Sequence, residues 1–444
     1  MTIPTAPATA RRTATPGRRS KVASVLRGPT PLELLVGGVL VAIYLYEILF
    51  NLLPTGIRLN LAAGLSGGIV LLSLAWILAK PRIWRIILFA LLMVVAGCWL
   101  MGEAGGEGRL DFVVGIRFLL PLFFALWVIE LRHAISPRLV LFMAASTLVI
   151  AALSSALRPQ EIISSLLRLP PFTGGEEGAH ASAYVVALCA LLIHQLWLNK
   201  AISKRLAWSF LTLAAVLLIG MRVATPIFML LNYSLLHIIL TKRLRTGTKI
   251  LLWFAILASL VAILFWHETL QEQVRGAEAA SVENLGSGRI GTWLGRIDLL
   301  SRRNIPTMLF GSGPGSDSFV SEIWWWEKKN SHNDFLTIVV ESCFVGLLAI
   351  LLFLFLLFHR LGRDGIPLIF LLLSASSVSN ALLQRPIIAT LFWLAVALAA
   401  LRVDQRLQAR WREQRMGQQK RRQGHRIAAA NQPRRRPATG GRTP

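Results

Sequence analysis

The distribution of apolar residues constrains this chain more than any other feature. They are concentrated in stretches of roughly 17 to 25 residues, the length that a helix needs to cross a hydrocarbon core of about 30 Å. The chain is 55% hydrophobic and 16% charged, whereas soluble domains carry about 45 to 50% apolar and about 25% charged residues. We therefore predict an all-α polytopic membrane protein of about twelve transmembrane helices. The predicted spans are residues 31–53, 59–79, 86–101, 110–130, 139–156, 181–198, 206–221, 224–241, 250–266, 333–358, 366–384 and 387–401.

Two of these spans, 206–221 and 224–241, are separated only by Arg222 and Val223. The turn-forming pair Thr225–Pro226 follows at once. Because helices usually end before such a proline, we predict two helices here and not one.

Basic residues in the short loops predict the orientation of the chain. Fourteen lysines and arginines lie in the five short loops on one side, and six arginines lie in the five on the other. By the positive-inside rule the first side is cytoplasmic. Both termini are then cytoplasmic, and the long loop at 267–332 is extracytoplasmic. The cytoplasmic set is Lys80, Arg82, Arg85, Arg132, Arg138, Lys200, Lys204, Arg205, Lys242, Arg243, Arg245, Lys249, Arg360 and Arg363, and the opposite set is Arg58, Arg109, Arg158, Arg168, Arg222 and Arg385.

Both ends of the chain are basic. Residues 1–30 hold six basic and no acidic residues, and residues 402–444 hold thirteen basic residues beside Asp404 and Glu413. We predict disordered cytoplasmic tails, the C-terminal one lying on anionic membrane lipid. Nucleic-acid binding is not predicted, since the tail lacks the interleaved aromatic residues on which single strands stack. The predicted order is a tail (1–30), nine spans (31–266), the extracytoplasmic loop (267–332), three spans (333–401) and a tail (402–444).

No cofactor or metal site is predicted. The three cysteines, Cys98, Cys189 and Cys343, lie inside apolar spans without paired spacing, and the outer loops contain no Asp-x-Asp. His267 has no second histidine four residues later. The segment Gly311–Gly315 lacks the lysine of a phosphate-binding loop, so we predict a turn there.

The loop at 267–332 is the only long one, and long loops in compact proteins are usually functional or disordered. It contains Gly286–Arg289, an amphipathic stretch from Ile290 to Leu300, the glycine-rich turn and the tryptophan run 324–326. The aromatic residues favour a folded and functional loop.

The end of this loop carries a candidate catalytic histidine. Ser331 and Asp334 have the serine-x-x-acid spacing of a helix start directly before an apolar run. This spacing puts His332 in the first turn of the tenth span, where the positive helix end disfavours an imidazolium. We therefore expect a neutral His332 that can accept a proton. The alternative is an interfacial histidine that only hydrogen-bonds the loop.

Arginines supply candidate phosphate ligands. A guanidinium makes a planar two-point contact with phosphate oxygens and stays charged at any working pH. The alternative for Arg289 and its neighbour Arg296 is a solvated helix face, and for Arg222 a side chain that snorkels to the interface. Arg117 lies inside the fourth span, where a charge indicates function or a buried partner, although its place near the outer end also permits snorkelling.

Glu341 lies nine residues beyond His332, which is about 13 Å deeper along a helix. It is expected to face other helices, in a structural or a binding role.

The segment from 286 to 347 resembles a known family. Ser331–Leu336, followed by Glu341 and Gly346, is similar to the His-Asn-x-x-Leu and Glu-x-Gly-x-x-Gly signature of the O-antigen ligase and polymerase superfamily. Ser287–Arg289 with Trp293, and then Leu309–Gly315, resemble the rest of that family's large periplasmic loop. Cys343 stands where the family usually has glycine, and Met221 precedes Arg222 where a serine-arginine pair is common.

The resemblance implies a GT-C-like glycosyltransferase architecture. It also implies metal-independent transfer of a glycan from undecaprenyl pyrophosphate to an acceptor at the periplasmic face, with inversion at the anomeric centre. In this chemistry His332 serves as general base, and Arg289 and Arg222 stabilise the departing pyrophosphate. The candidate substrate-binding residues are Arg296, Arg117, Asn333 and Glu341.

Three kinds of acceptor are compatible with the resemblance. A ligase joins the glycan to lipid A-core, a polymerase adds it to another carrier-linked glycan, and a protein O-oligosaccharyltransferase adds it to a side chain. An alternative of another class is a twelve-span secondary transporter. It predicts two related halves with interrupted spans at matching positions, and we see no such halves in the sequence.

Overall fold

A computed structural model describes residues 30–49, 55–79, 82–104, 112–159, 179–241, 244–258, 285–317, 331–379, 382–383 and 386–430. No strand occurs among these residues. The helices, numbered in chain order, are α1 (Pro31–Leu49), α2 (Thr55–Ala79), α3 (Ile83–Ala104), α4 (Phe112–Glu130), α5 (Pro137–Ala156), α6 (Ala179–Leu198), α7 (Lys204–Met221), α8 (Ala224–Thr241), α9 (Thr246–Ala258), α10 (Leu285–Ser301), α11 (Ile305–Phe310), α12 (Asp334–His359), α13 (Ile366–Val378) and α14 (Pro386–Ala430). Two 3₁₀ turns, Arg132–Ala134 and Gly362–Asp364, join α4 to α5 and α12 to α13.

Each of the predicted spans overlaps one of these helices, namely α1 to α9 and α12 to α14. Within the described ranges, seven helical stretches are long and apolar enough to cross a membrane, and they lie in α3, α5, α6, α7, α8, α12 and α14. These features are those of an all-α membrane protein, as predicted.

Three helices form the centre of the bundle. Every side chain from Ala181 to Ile193 of α6 is buried, as is every one from Phe118 to Val128 of α4. The apolar part of α14 packs on both of these helices. A helix that is apolar on all sides buries all sides, which accounts for this arrangement. Outer helices expose large apolar side chains such as Leu78 and Ile219, a surface suited to contact with lipid.

The corner between α7 and α8 confirms the predicted division of that apolar stretch. The first helix ends at Met221 and the second begins at Ala224. Arg222, between them, takes a left-handed backbone conformation with φ of 53°. Pro226 lies in the first turn of α8, where its missing N–H leaves no helical hydrogen bond unmade.

Helix α14 continues far beyond the predicted span, to Ala430. The prediction of a disordered C-terminal tail is therefore wrong for residues 402–430. This stretch is rich in arginine, glutamine and alanine, which favour helix, and it extends an existing helix without the cost of a new nucleus. Ion pairs fasten its base, with Asp404 bound to Arg132 at 2.7 Å and Arg406 bound to Asp364 at 2.6 Å. Residues 1–29 lie outside the described part of the chain.

Candidate functional site

The segment between α9 and α12 contains two helices that pack on α12. The predicted amphipathic stretch forms α10, which buries Thr292 and Arg296 on one face. Helix α11 begins at the cap Asn304, whose side chain accepts the backbone N–H of Thr307 at 2.9 Å. It ends at Gly311, the first residue of the glycine-rich turn.

Helix α12 is broken at Cys343, whose φ of 52° and ψ of −159° are not helical. A break of this kind frees backbone carbonyl groups that need other donors. The carbonyl of Val340 accepts the N–H of Ser312 at 3.2 Å, and the carbonyl of Glu341 accepts the N–H of Gly313 at 3.0 Å. The glycine-rich turn thus docks into the break of the membrane helix.

Close approach explains why this turn contains glycine. Gly311 has a φ of 81°, and a Cβ atom there would lie 2.3 Å from the carbonyl oxygen of Glu341. Gly313 and Gly315 also have positive φ values, of 86° and 85°. The N–H of Gly315 donates to the side-chain oxygen Oε1 of Glu341 at 2.8 Å. Glu341, a candidate substrate-binding residue in the sequence, is buried and bound to the turn.

A buried ion pair lies just after the turn. The Nε atom of Arg296 is 2.8 Å from Oδ1 of Asp317, and the two side chains are 2% and 1% exposed. Burial lowers the pKa of Arg296 to about 10, and the negative charge of Asp317 opposes that shift. The guanidinium therefore stays charged at neutral pH. Arg296, a predicted substrate-binding residue, is buried, and its guanidinium is paired with Asp317.

The second oxygen of Asp317 binds the chain beside His332. Oδ2 accepts both the N–H and the hydroxyl of Ser331 at 2.8 Å, and the hydroxyl of Thr337 at 2.6 Å. The indole N–H of Trp293 donates to the carbonyl of Ser331 at 2.7 Å. Ser331 is therefore bound to the loop through its N–H, its carbonyl and its hydroxyl.

The predicted start of α12 at Ser331 is wrong. The cap is Asn333, whose side chain accepts the N–H of Leu336 at 3.0 Å. Ser331 does not cap because its hydroxyl is bound to Asp317. His332 consequently precedes the helix and does not lie in its first turn.

His332 occupies a strained position between two fixed neighbours. Its φ is 49°, a value that residues other than glycine seldom adopt, and its side chain is half-buried. On one side Ser331 is held by Asp317. On the other, the side-chain amide of Asn333 donates to the carbonyl of Ser377, in the last turn of α13, at 2.8 Å. The backbone on both sides of the imidazole is thus fastened to other elements.

Arg222 lies at the same end of the bundle as this turn. Helices α8 and α13 pack together, and the guanidinium of Arg363, just before α13, donates to the carbonyl of Leu240 near the end of α8 at 3.4 Å. The two helices are therefore antiparallel. The start of α8, beside the exposed Arg222, lies at the end of the pair where Ser377 binds Asn333.

Two other predicted residues have side chains outside the described set. Arg289 belongs to α10, and helical spacing puts position 289 on the same face as Trp293 and Arg296. Arg117 belongs to α4. Residues 318–330, with the tryptophan run, also lie outside the described ranges.

Asp317 belongs to this site but is not among the residues that the sequence predicts. The available signal is its position. It follows the glycine-rich turn directly and is the first acidic residue after Asp298. An acid at that point is a candidate for joining the turn to a basic residue of the same loop.

Among the described residues, no three histidine, cysteine, aspartate or glutamate side chains are grouped so that they could hold a metal ion. The metal-independent chemistry stays a prediction.

No protein-family model matches the chain, and no curated protein matches it.

Proposed function

We propose that this protein transfers a glycan from undecaprenyl pyrophosphate to an acceptor at the periplasmic face of the bacterial inner membrane. It acts as an O-antigen ligase or as a polymerase of O-antigen or exopolysaccharide. One observation carries the proposal: His332 is held with a φ of 49° by contacts on both sides, at the point where the loop meets α12. Strained residues of this kind cluster at functional sites, and the motifs around His332 resemble those of the O-antigen ligase and polymerase superfamily.

The proposed reaction is a single displacement at the anomeric carbon. The imidazole of His332 takes the proton of an acceptor hydroxyl as that oxygen attacks. The bond between the anomeric carbon and the pyrophosphate oxygen breaks, and its electron pair leaves with undecaprenyl pyrophosphate. Direct displacement inverts the anomeric centre.

The departing pyrophosphate carries the charge that the enzyme has to stabilise. Arg289 and Arg222 are the proposed ligands, because preorganised cations at the leaving group favour the transition state. The antiparallel packing of α8 and α13 supports a role for Arg222, since it brings that arginine to the end of the bundle that carries Asn333.

The proposal includes twelve spans with a GT-C-like arrangement, both termini in the cytoplasm and the 267–332 loop in the periplasm. Helices at all the predicted segments support the number of spans. The bias of fourteen basic residues to six in the short loops supports the orientation.

One observation favours the transporter alternative. Helix α12 is interrupted at Cys343, and interrupted helices form the substrate and ion sites of many transporters. Here, however, the carbonyl groups of Val340 and Glu341 accept N–H groups of the protein's own glycine-rich turn. The break therefore joins the loop to the membrane helix, an arrangement that favours the enzyme.

Purified protein in liposomes tests the proposal. A labelled undecaprenyl-pyrophosphate glycan is supplied with lipid A-core, with a second carrier-linked glycan, or with a protein acceptor. Release of undecaprenyl pyrophosphate with either of the first two acceptors supports a ligase or a polymerase. Release with the protein acceptor alone identifies a protein O-oligosaccharyltransferase. Movement of the glycan across the bilayer without release identifies a transporter and refutes the proposal.

A further inference from the structure

The conformation of His332 raises the question of what holds it. A non-glycine residue at positive φ costs of order 1 to 3 kcal/mol and persists only where the surrounding structure determines it. Asn333 holds the turn on its helix side, through Ser377. The other side is held from the loop, by the indole of Trp293 on the Ser331 carbonyl and by one carboxylate that accepts both the N–H and the hydroxyl of Ser331.

That carboxylate belongs to Asp317. It accepts the N–H and the hydroxyl of Ser331 at 2.8 Å and the hydroxyl of Thr337 at 2.6 Å. This carboxylate therefore fixes the amide one residue before His332, beside the bond of Trp293 to the Ser331 carbonyl, and ties Ser331 to the first turn of α12. Because Asp317 also follows the glycine-rich turn, it joins the docked loop to the histidine.

Arg296 makes this burial possible. An unpaired carboxylate that is 1% exposed would be costly, and the guanidinium 2.8 Å away compensates its charge. Removing one partner of a buried pair leaves an uncompensated charge and is more disruptive than replacing both. Arg296 thus acts on the turn through Asp317.

We infer that Asp317 is a positioning residue for His332, and that the loop uses the Arg296–Asp317 ion pair to fix the orientation of the imidazole toward the acceptor hydroxyl. The catalytic consequence rests on the proposed function. The structural consequence, an ordered 331–333 turn, does not.

The test compares Asp317→Asn with Asp298→Asn in the full-length protein in liposomes. Asp298 is a matched control, because it is an acid of the same loop whose ion pair with Arg302 is exposed. Two quantities are measured for each variant: kcat and KM for glycan transfer, and hydrogen exchange of the backbone amides at 331–333. Ser331→Ala, which removes one of the bonds to Asp317, serves as a milder second variant.

A displacement of about 1 Å in the position of a reacting group can cost about 100-fold in rate. We expect Asp317→Asn to lower kcat by this factor with little change in KM, and Ser331→Ala to lower it less. Exchange of the Ser331 amide should become faster in Asp317→Asn, and Asp298→Asn should resemble the wild type in both measurements. In a protein that already carries His332→Ala, Asp317→Asn should lower the residual rate no further.

An additive loss in that double variant would show that Asp317 acts independently of His332 and would overturn the inference. Unchanged exchange at 331–333 in Asp317→Asn would also overturn it. Should the wild-type protein itself transfer no glycan, the proposed function fails, while the exchange comparison still decides whether the pair orders the turn.

Discussion

Replacing Cys343 by glycine and by alanine gives a sharp test of the broken helix. Cys343 has a φ of 52° and a ψ of −159°, a combination that is accessible almost only to glycine. Its side chain is fully buried, and its thiol contacts the carbonyl oxygen of Met308. Because both substitutions remove the thiol, the difference in stability between the two variants reports the cost of the backbone conformation at position 343.

The expected magnitude follows from two opposing effects. A side chain at such a φ costs about 1 to 3 kcal/mol, and glycine removes that cost. Glycine loses about 0.5 to 1 kcal/mol relative to alanine because its unfolded chain is more flexible. Cys343→Gly should therefore be more stable than Cys343→Ala by about 1 kcal/mol. In an ordinary helix the order is reversed, with glycine about 1 kcal/mol less stable.

The control is Ala349→Gly, six residues further along the same helix at a buried position of helical conformation. Thermal unfolding of all variants is followed in one detergent. Cys343→Gly should unfold at a higher temperature than Cys343→Ala, and Ala349→Gly should unfold at a lower temperature than the wild type. If Cys343→Gly unfolds at a lower temperature than Cys343→Ala, the helix is continuous at this position. The docking of the turn would then need another explanation.

Three further predictions concern the cap, the orientation and the metal requirement. Asn333→Ala should lower the free energy of unfolding by about 1 to 2 kcal/mol, because it removes both the cap and the bond to Ser377. Asn333→Asp should lower it less, because aspartate still caps the helix. Equal unfolding temperatures for the two variants would contradict this. A cysteine introduced at Ser318 should react with a membrane-impermeant thiol reagent in spheroplasts, and one introduced at Ser203 should not. The native cysteines are buried and should contribute little background. The reverse pattern would refute the orientation. Chelators should leave glycan transfer intact, and inactivation that magnesium or manganese rescues would refute metal independence.

The membrane-embedded part of the fold was predictable from the sequence because hydrophobic length is a local property. Helices overlap every predicted span, and α7 and α8 divide at Arg222 as the following proline indicates. The glycine-rich turn was also predictable, since its composition is typical of turns. The helical C-terminal extension does not follow from charge alone, because a run of basic residues is typical of disordered tails, while the composition of this segment also favours helix.

The site itself was less predictable, because its contacts join residues that are far apart in the sequence. The spacing of Ser331 and Asp334 indicated a cap at Ser331, but the hydroxyl of Ser331 is bound to Asp317, 14 residues earlier. Arg296 was a candidate substrate ligand in the sequence, whereas its guanidinium is buried and paired with the carboxylate of Asp317. No local pattern specifies these pairings, which arise when the loop docks into the break at Cys343.

Turnover and carrier binding in the purified variants His332→Ala and Arg289→Ala separate the role of the general base from that of the phosphate ligand. A positioned general base typically contributes about 10² to 10⁴-fold in rate, so His332→Ala should bind undecaprenyl pyrophosphate normally and lose turnover by this factor. Arg289→Ala should lose both binding and rate, because the same charge holds the phosphates before and during their departure. Near-normal turnover in His332→Ala would show that the histidine is a structural residue at the membrane interface and not the general base.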